Sequence, residues 1–331
     1  MTAARVDLII PSYNGAAHLA TCLPALRRQR YQDFRLIVVD NGSSDDTATI
    51  IERVTPEARL FRLPRNVGFA AAVNAGLRLG DSEFVALLNN DTEPEPGWLA
   101  ALVTAMDAEP TAGAVASKIR LFDQRDHLHS AGDTYSTCGT AGSRGVWQRD
   151  DGRFDAERRV FGACAGAALY RREALEAAAR VDGAVFDPDF FAYCEDVDLN
   201  WRLRLLGYEI VYAPDAVVYH RLSATGGGPL ASYRVARNSL AVIVKDVPGP
   251  LLRRYWPQML AARLVEAAMT LSHAREPAAR ARLRGLLTAI AVVPAMLPKR
   301  RRIQAARRVP VGALPPLLAP CNWPWLSRRG R

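Results

Sequence analysis

Apolar and polar positions alternate between two textures over the first 120 residues. The runs RVDLII, FRLIVVD, EFVALLN and GAVASKI are rich in β-branched and large apolar residues and read as strands, with ARLFRLP as a further candidate. Between them, AAHLATCLPALRRQ, DDTATIIERV, GFAAAVNAGLRLG and PGWLAALVTAMDA carry apolar residues at helical spacing. Gly80 is placed to cap the third helix at its C-terminus, and Pro96 lies near the first turn of the fourth. Strands alternating with helices at this spacing predict an α/β fold, a mostly parallel sheet flanked by helices on both faces.

The texture changes near Leu121. Residues 121–160 are rich in Gly, Asp, Ser and Arg and predict an irregular insertion or hairpin, followed by the apolar segment FGACAGAALYRR. EDVDLNWRLRLLG is a helix with acids in its first turn, arginines later and Gly207 after it. EIVYAPDAVVYH is extended, TGGGPL punctuates the chain, and from Ala231 onward the pattern is almost entirely helical. The expected division is a catalytic domain over 1–249, with halves 1–120 and 121–249, and a helical extension over 250–331.

Three predicted strands end in polar residues: PSYNG, DNGSSDD and NNDTE. Turn chemistry alone favours Asn and Asp there. Open α/β sheets, however, bind ligands beyond the carboxyl ends of their strands, and these three ends would lie side by side. Asp40 stands where a carboxylate could accept a base N–H. Ser43 or Ser44 is a candidate helix N-cap, with Asp45 and Asp46 complementing the dipole. The chain has neither a Walker loop nor a G-x-G-x-x-G fingerprint. Any phosphates bound here would therefore call for a divalent cation on oxygen ligands, for which Asp91 is a candidate.

Charge changes the picture only at the C-terminus. The net charge is +9, yet residues 251–331 hold 16 Lys+Arg against two acids, leaving 27 basic and 32 acidic residues before them. Five cysteines without paired spacing suit a reducing compartment. The opening MTAARVDLIIPSYNG lacks an apolar stretch of signal-peptide length, so a cytoplasmic catalytic part is expected.

Taken together and in order, PSYNG, VVDNGSSDDT, NVGFAAAVNAGL, LLNNDTE and FFAYCEDVDLNWRLRLLGY resemble the family 2 glycosyltransferases of the GT-A fold, most closely the bacterial rhamnosyltransferase-like members that build cell-surface polysaccharides. The resemblance spans roughly residues 5–245. It implies a nucleotide-diphosphate sugar donor (dTDP-, UDP- or GDP-linked), with Pro11, Tyr13, Asn14 and Asp40 around base and ribose and Arg65, Asn66 and Gly68 near the nucleotide. Asn89-Asn90-Asp91 falls at the family's Asp-x-Asp metal motif, with Asn in its first position. The resemblance implies that Asn90 is a donor contact and that Asp91 and His220 are metal ligands, for Mn²⁺ or Mg²⁺. Imidazole suits the former better.

Transfer to an alcohol needs a base for the acceptor hydroxyl and stabilisation of the departing diphosphate. At about 100° per residue, Asp196 and Asp198 point to nearly opposite sides of a helix. The resemblance selects Asp196 as the base of an inverting displacement, with Glu195 beside it. Without the resemblance, helix-dipole complementation accounts for all three acids. Trp201 and Tyr193 are candidates for sugar stacking or for core.

In the extension, GLLTAIAVVPAMLP is an uncharged run of 14 residues beside KRRRIQAARR. That is short for a span, and Pro294 interrupts it. It reads as a peripheral anchor on an anionic membrane, helped by the tryptophans of CNWPWL, and suits a glycan or polyprenyl-linked acceptor at the inner face of the cell membrane. A helical cap on the catalytic domain is the competing reading. A catalytically silent nucleotide-sugar-binding scaffold and a sugar nucleotidyltransferase are the alternative functions; the latter normally opens with a basic Gly-rich loop absent here. No aromatic-lined or helix–turn–helix module supports nucleic-acid binding.

Overall fold

The structure is a computed structural model that describes residues 4–221 and 228–321. Trp323 and Trp325 of CNWPWL, and Thr225 to Gly227 of TGGGPL, lie outside the described residues. The elements run β1 (Val6–Ser12), α1 (Ala16–Arg27), β2 (Phe34–Asp40), α2 (Thr47–Val54), β3 (Arg59–Arg62), α3 (Phe69–Leu77), β4 (Phe84–Leu88), β5 (Thr92–Pro94), α4 (Trp98–Ala108) and β6 (Ala112–Leu121). They continue with β7 (Leu128–Ser130), β8 (Asp133–Tyr135), β9 (Ala141–Ser143), β10 (Ala167–Arg171), α5 (Arg172–Asp182), α6 (Glu195–Leu205), β11 (Glu209–His220), α7 (Gly228–Asp246), α8 (Gly249–Leu271) and α9 (Pro277–Ala306).

The main sheet has the order β3-β2-β1-β4-β10-β6-β11-β5, with β7 paired to β6. Strands β1, β2, β3 and β4 are mutually parallel, and β6 is parallel to β11. The antiparallel strand β10 is inserted between β4 and β6, and β5 runs antiparallel to β11. Successive side chains of a strand face opposite sides, so β1 feeds two cores. Ile9 packs with Ile37, Val39 and Val73 on one face; Leu8 and Ile10 pack with Leu19, Leu23 and Val38 on the other. The one charge inside β1, Asp7, is held by Arg35 at 2.7 Å and Arg172 at 2.6 Å.

Several local expectations are corrected. The segment after β10 forms α5, a helix the apolar reading of FGACAGAALYRR did not extend to. Helix α3 ends at Leu77 with Arg78 as its cap, and Gly80 instead leaves room for the Asp7 carboxylate. Neither Ser44 nor Asp46 caps α2. Asp46 occupies the N-cap position without a side-chain bond, while Asp45 accepts from the Thr47 N–H at 3.1 Å and the Ala16 N–H. Asp45 therefore joins the starts of α1 and α2, which a cap judged from one helix cannot reveal. Pro96 precedes α4, whose N-cap is Gly97.

Helices α7 and α9 pack together where Gly285 abuts the Tyr233 carbonyl, leaving no room for a side chain. Val292, Met296 and Ile303 of α9 share a core with Phe190, Trp201 and Val242. Helix α9 is continuous through Pro294 and Pro298, so the proline does not break it. Among the described residues it is the one helix long and apolar enough to cross a bilayer, by length and composition only. The outer faces of α8 and α9 expose Trp256, Leu260, Leu264, Leu287 and Ile290.

Candidate active site

The order β2-β1-β4 brings the three polar strand ends into adjacency, as the periodicity predicts. Pro11 pairs with Val39 near the end of β1 and is buried, whereas Tyr13 is 47% exposed. Asn14 adopts a positive φ of 48° and clasps the next strand end. Its N–H donates to Ser43 Oγ, and its Oδ1 accepts from the Ser44 N–H, both at 2.9 Å. Asp40, 1% exposed, accepts from the Ser43 N–H at 2.9 Å and lies 3.2 Å from the Arg62 guanidinium. Gly42, Ser43, Arg62, Leu63 and Pro64 line a cleft of about 490 Å³ beside it. Asn66 Oδ1 accepts from Asn41 Nδ2 and from the Gly68 N–H. Arg65 presses its backbone against Gly42, whose φ of +78° and lack of a Cβ allow the approach.

Asn90 turns inward. Its Nδ2 donates to Ser12 Oγ at 2.9 Å, bracing β4 against β1. Beyond it β5 pairs with β11, placing His220 opposite Thr92. That register brings His220 Nε2 within 3.2 Å of Asp91 Oδ1, although 129 positions separate them in the chain. His220 Nδ1 lies 3.0 Å from Nδ1 of His129 on β7, and the two rings stack at 5.0 Å and 12°. Burial, reinforced by His220, pushes His129 down to about 4, so His129 is neutral at neutral pH. The alternation of His127 and His129 in DHLHS was the only sequence signal for it, and the partner ring lies far along the chain.

The second acidic cluster starts α6. Cys194, at φ 66°, turns the chain into the helix, so Glu195 and Asp196 form its first turn. Glu195 is 7% exposed, and burial pushes its carboxyl well above the usual range, helped by Asp196. Asp196 accepts from the N–H groups of Ala165 at 3.3 Å and Val197 at 2.8 Å. Burial raises it too, against those N–H bonds. Asp198 faces the other way, as the helical spacing requires, and is buried against Arg202 and Lys245. Trp201 is fully buried, edge-on to Tyr135 and Phe161, so it belongs to the core and not to a sugar platform.

Tyr193 joins the two clusters. Its hydroxyl is pushed up by burial first, then by the charges of Glu195 and Asp91. The Asp91 strand end and the α6 terminus therefore act on one side chain. Gly68 abuts Phe191, whose carbonyl accepts from the Ala70 N–H at 3.2 Å and ties α3 to the segment before α6.

The sequence profile described as glycosyl transferase family 2 matches residues 7–178. The chain belongs to glycosyl transferase family 2. Its relatives include the N-acetylglucosaminyl-diphospho-decaprenol L-rhamnosyltransferase of Mycobacterium tuberculosis, 28% identical over 263 residues that cover 73% of this chain and 84% of that protein. A poly-β-1,6-N-acetyl-D-glucosamine synthase of Staphylococcus epidermidis is 25% identical across 78% of this chain and 58% of its own length. The mannosyltransferase PcManGT of Pyrobaculum calidifontis, solved with GDP-Man and Mn²⁺, superposes with a TM-score of 0.54 at 21% identity, covering 95% of this chain and 79% of that one. TarS 1–349 of Staphylococcus aureus, solved with UDP-GlcNAc, gives 0.54 at 16% identity and 91% coverage of each. At these identities the two structures share the GT-A fold with this chain. The protein is a family 2 glycosyltransferase.

Proposed function

We propose that the protein moves a sugar from a nucleotide-diphosphate donor to a hydroxyl of a lipid-linked glycan, with inversion, in cell-surface polysaccharide synthesis. The observation that supports this reading is the register of β5 on β11, which sets His220 Nε2 3.2 Å from Asp91 Oδ1 just beyond the end of β4. The Asp40 side of the cleft takes the base and ribose, with Tyr13 exposed for stacking and Asn14, Arg65, Asn66 and Gly68 framing it. Asn90 contributes by fixing Ser12 and the end of β1.

Asp91 Oδ1 and His220 Nε2 are an oxygen and an imidazole nitrogen turned toward one another from two elements, a donor set that fits Mn²⁺ and, less well, Mg²⁺. Asp91 and His220 would hold the ion, which when bound supplies charge neutralisation for the departing diphosphate. Asp196 does the proton chemistry. As the acceptor oxygen bonds to the anomeric carbon and the bond from that carbon to the diphosphate breaks, the hydroxyl proton passes to Asp196. Glu195, next to it and held toward its neutral form by burial, is placed to hydrogen-bond the acceptor.

Rhamnose as the sugar and a polyprenyl diphosphate on the acceptor are supported by the name of the mycobacterial relative. Residues 1–249 form the catalytic unit in this reading. The 250–331 extension packs on it and turns its exposed apolar side chains and basic excess toward an anionic lipid surface at the inner face of the membrane. Thermal melting with UDP, dTDP, GDP or CMP, each with and without Mn²⁺, tests the donor half. A ligand at 100 times its Kd adds about 2.7 kcal/mol. A metal-dependent rise with one diphosphate is the expected result, and no rise with any of them contradicts the reading. Co-sedimentation with anionic vesicles, lost in Leu287→Ser with Ile290→Ser, tests the lipid surface.

A further inference from the structure

The hairpin β8–β9 brings a second carboxyl to the catalytic helix. Asp133 opens β8, and its backbone makes two hydrogen bonds with Gly162, donating at 2.9 Å and accepting at 3.2 Å. The segment after Gly162 is pinned to α6. Asn200 accepts from the Ala163 N–H and donates to the Ala163 carbonyl, while Asp196, one turn earlier on the same helix face, accepts from the Ala165 N–H. Gly162 itself packs directly against the Asn200 side chain, leaving no room for a Cβ. These contacts fix Asp133 relative to Asp196. Their carboxylate oxygens and Cys164 Sγ all lie within 4.8 Å of one another.

Asp133 Oδ1 accepts from the hydroxyls of Ser130 at 3.0 Å and Ser143 at 3.1 Å. Neutral hydroxyls orient a carboxyl without supplying positive charge. Among the described residues, neither Asp133 nor Asp196 has a salt bridge. The titratable groups facing Asp196 are Asp133 from β8, Cys164 from the segment before β10, Tyr170 from β10, and Cys194 and Glu195 from its own end of the helix. Every one of them is acidic or neutral. Two carboxylates this close, with no cation between them, resist ionising together.

We infer that Asp133 and Asp196 form a carboxyl pair holding one proton between them, and that Asp133 is a positioning residue that sets the basicity of Asp196. This rests on the reading of Asp196 as the base. The ionisation of the pair belongs to both residues and not to either alone. Burial first, then Asp196, pushes Asp133 up to about 7, whereas two backbone N–H bonds favour the ionised form of Asp196. The shared proton is therefore biased toward Asp133, which leaves Asp196 the carboxyl placed to receive the acceptor proton. When Asp133 ionises, its charge makes Asp196 a stronger base.

The test uses the full chain and Asp133→Asn, whose amide oxygen keeps the two serine bonds. Infrared titration of carboxyl groups in the substrate-free protein should show one ionisation near neutral pH that is lost in Asp133→Asn. In Asp196→Asn the same ionisation should fall toward the ordinary aspartate range. Where dTDP-rhamnose, UDP-GlcNAc or GDP-mannose supports turnover, the step in kcat/KM near pH 7 should vanish in Asp133→Asn, with KM for the donor unchanged. A neutral-range titration that persists in Asp133→Asn, or one that Asp196→Asn leaves in place, overturns the pairing. A pair that titrates as stated, in a protein whose Asp196→Asn variant keeps its turnover, sustains the pairing and overturns Asp196 as base.

Discussion

Two acids on one helix, Asp196 and Asp198, receive opposite treatment. Asp198 enters a fully buried cluster in which Lys245 Nζ lies 2.5 Å from it, 2.6 Å from Asp182 and 2.7 Å from Asp187. Arg202 adds a bond to Asp198 at 2.6 Å, and Lys299 of α9 reaches Asp187 at 2.7 Å. Three carboxylates that could have surrounded a metal ion surround an ammonium instead. Asp196, two residues earlier, meets another carboxyl, a thiol and two N–H groups. Charges that are neutralised in this way hold α5, α6, α7 and α9 together. Asp196 has no salt bridge among the described residues. The two acids thus differ in their partners and not in being carboxylates of one helix.

The largest effect is expected from breaking the neutralised cluster. Lys245→Met removes the ammonium that three buried carboxylates share, and removing one partner of a buried pair costs about 3–5 kcal/mol. Urea unfolding should show the loss, with catalysis falling only as far as folding does. Asp196→Asn should do the reverse, with the unfolding midpoint near that of the parent and turnover reduced about 10²–10⁴-fold. If both variants lost stability and activity in parallel, the contrast between the two acids would disappear.

Metal binding comes next. The Nδ1 of His220 is held by His129, and loss of such an outer partner typically lowers metal affinity about 10–100-fold. Titration of Mn²⁺ binding by His129→Ala, in the presence of the stabilising diphosphate, measures this. An unchanged affinity would separate His129 from the site.

The smallest effects are pH trends of opposite sign in the two regions. Asp187 is held down to about 2, chiefly by Lys245 against the cost of burial. Its contribution is present above the ordinary aspartate range and is lost as the pH falls through about 2. Asp133 is raised to about 7, so its contribution is present below the ordinary aspartate range and is lost as the pH rises through about 7. Asp133→Asn removes that loss. Its melting temperature should therefore gain on the parent as the pH rises from the ordinary aspartate range to about 7. Lys299→Ala should lose most of its deficit below pH 2.

The hydrophobic periodicity by itself determined the strand–helix alternation, the adjacency of three polar strand ends and the divergence of Asp196 from Asp198. Each follows from spacing along one element. The ordered motifs, from PSYNG to CEDVDLN, carried the family. The tertiary structure alone decided what each polar residue meets. Register between β5 and β11 set His220 on Asp91, and the hairpin set Asp133 beside Asp196. The third layer of helices gave Asp198 a lysine from α7. Asn90 reads as a donor contact from its motif, and its bond to Ser12 was visible only in the structure. Asp45 took the cap expected of Ser44 because two helices begin at one place. Partnerships across sixty or a hundred residues depend on strand order and packing angle, and no local pattern encodes either. For the same reason the sequence could name the acids at the start of α6 without telling which of them would meet a cation.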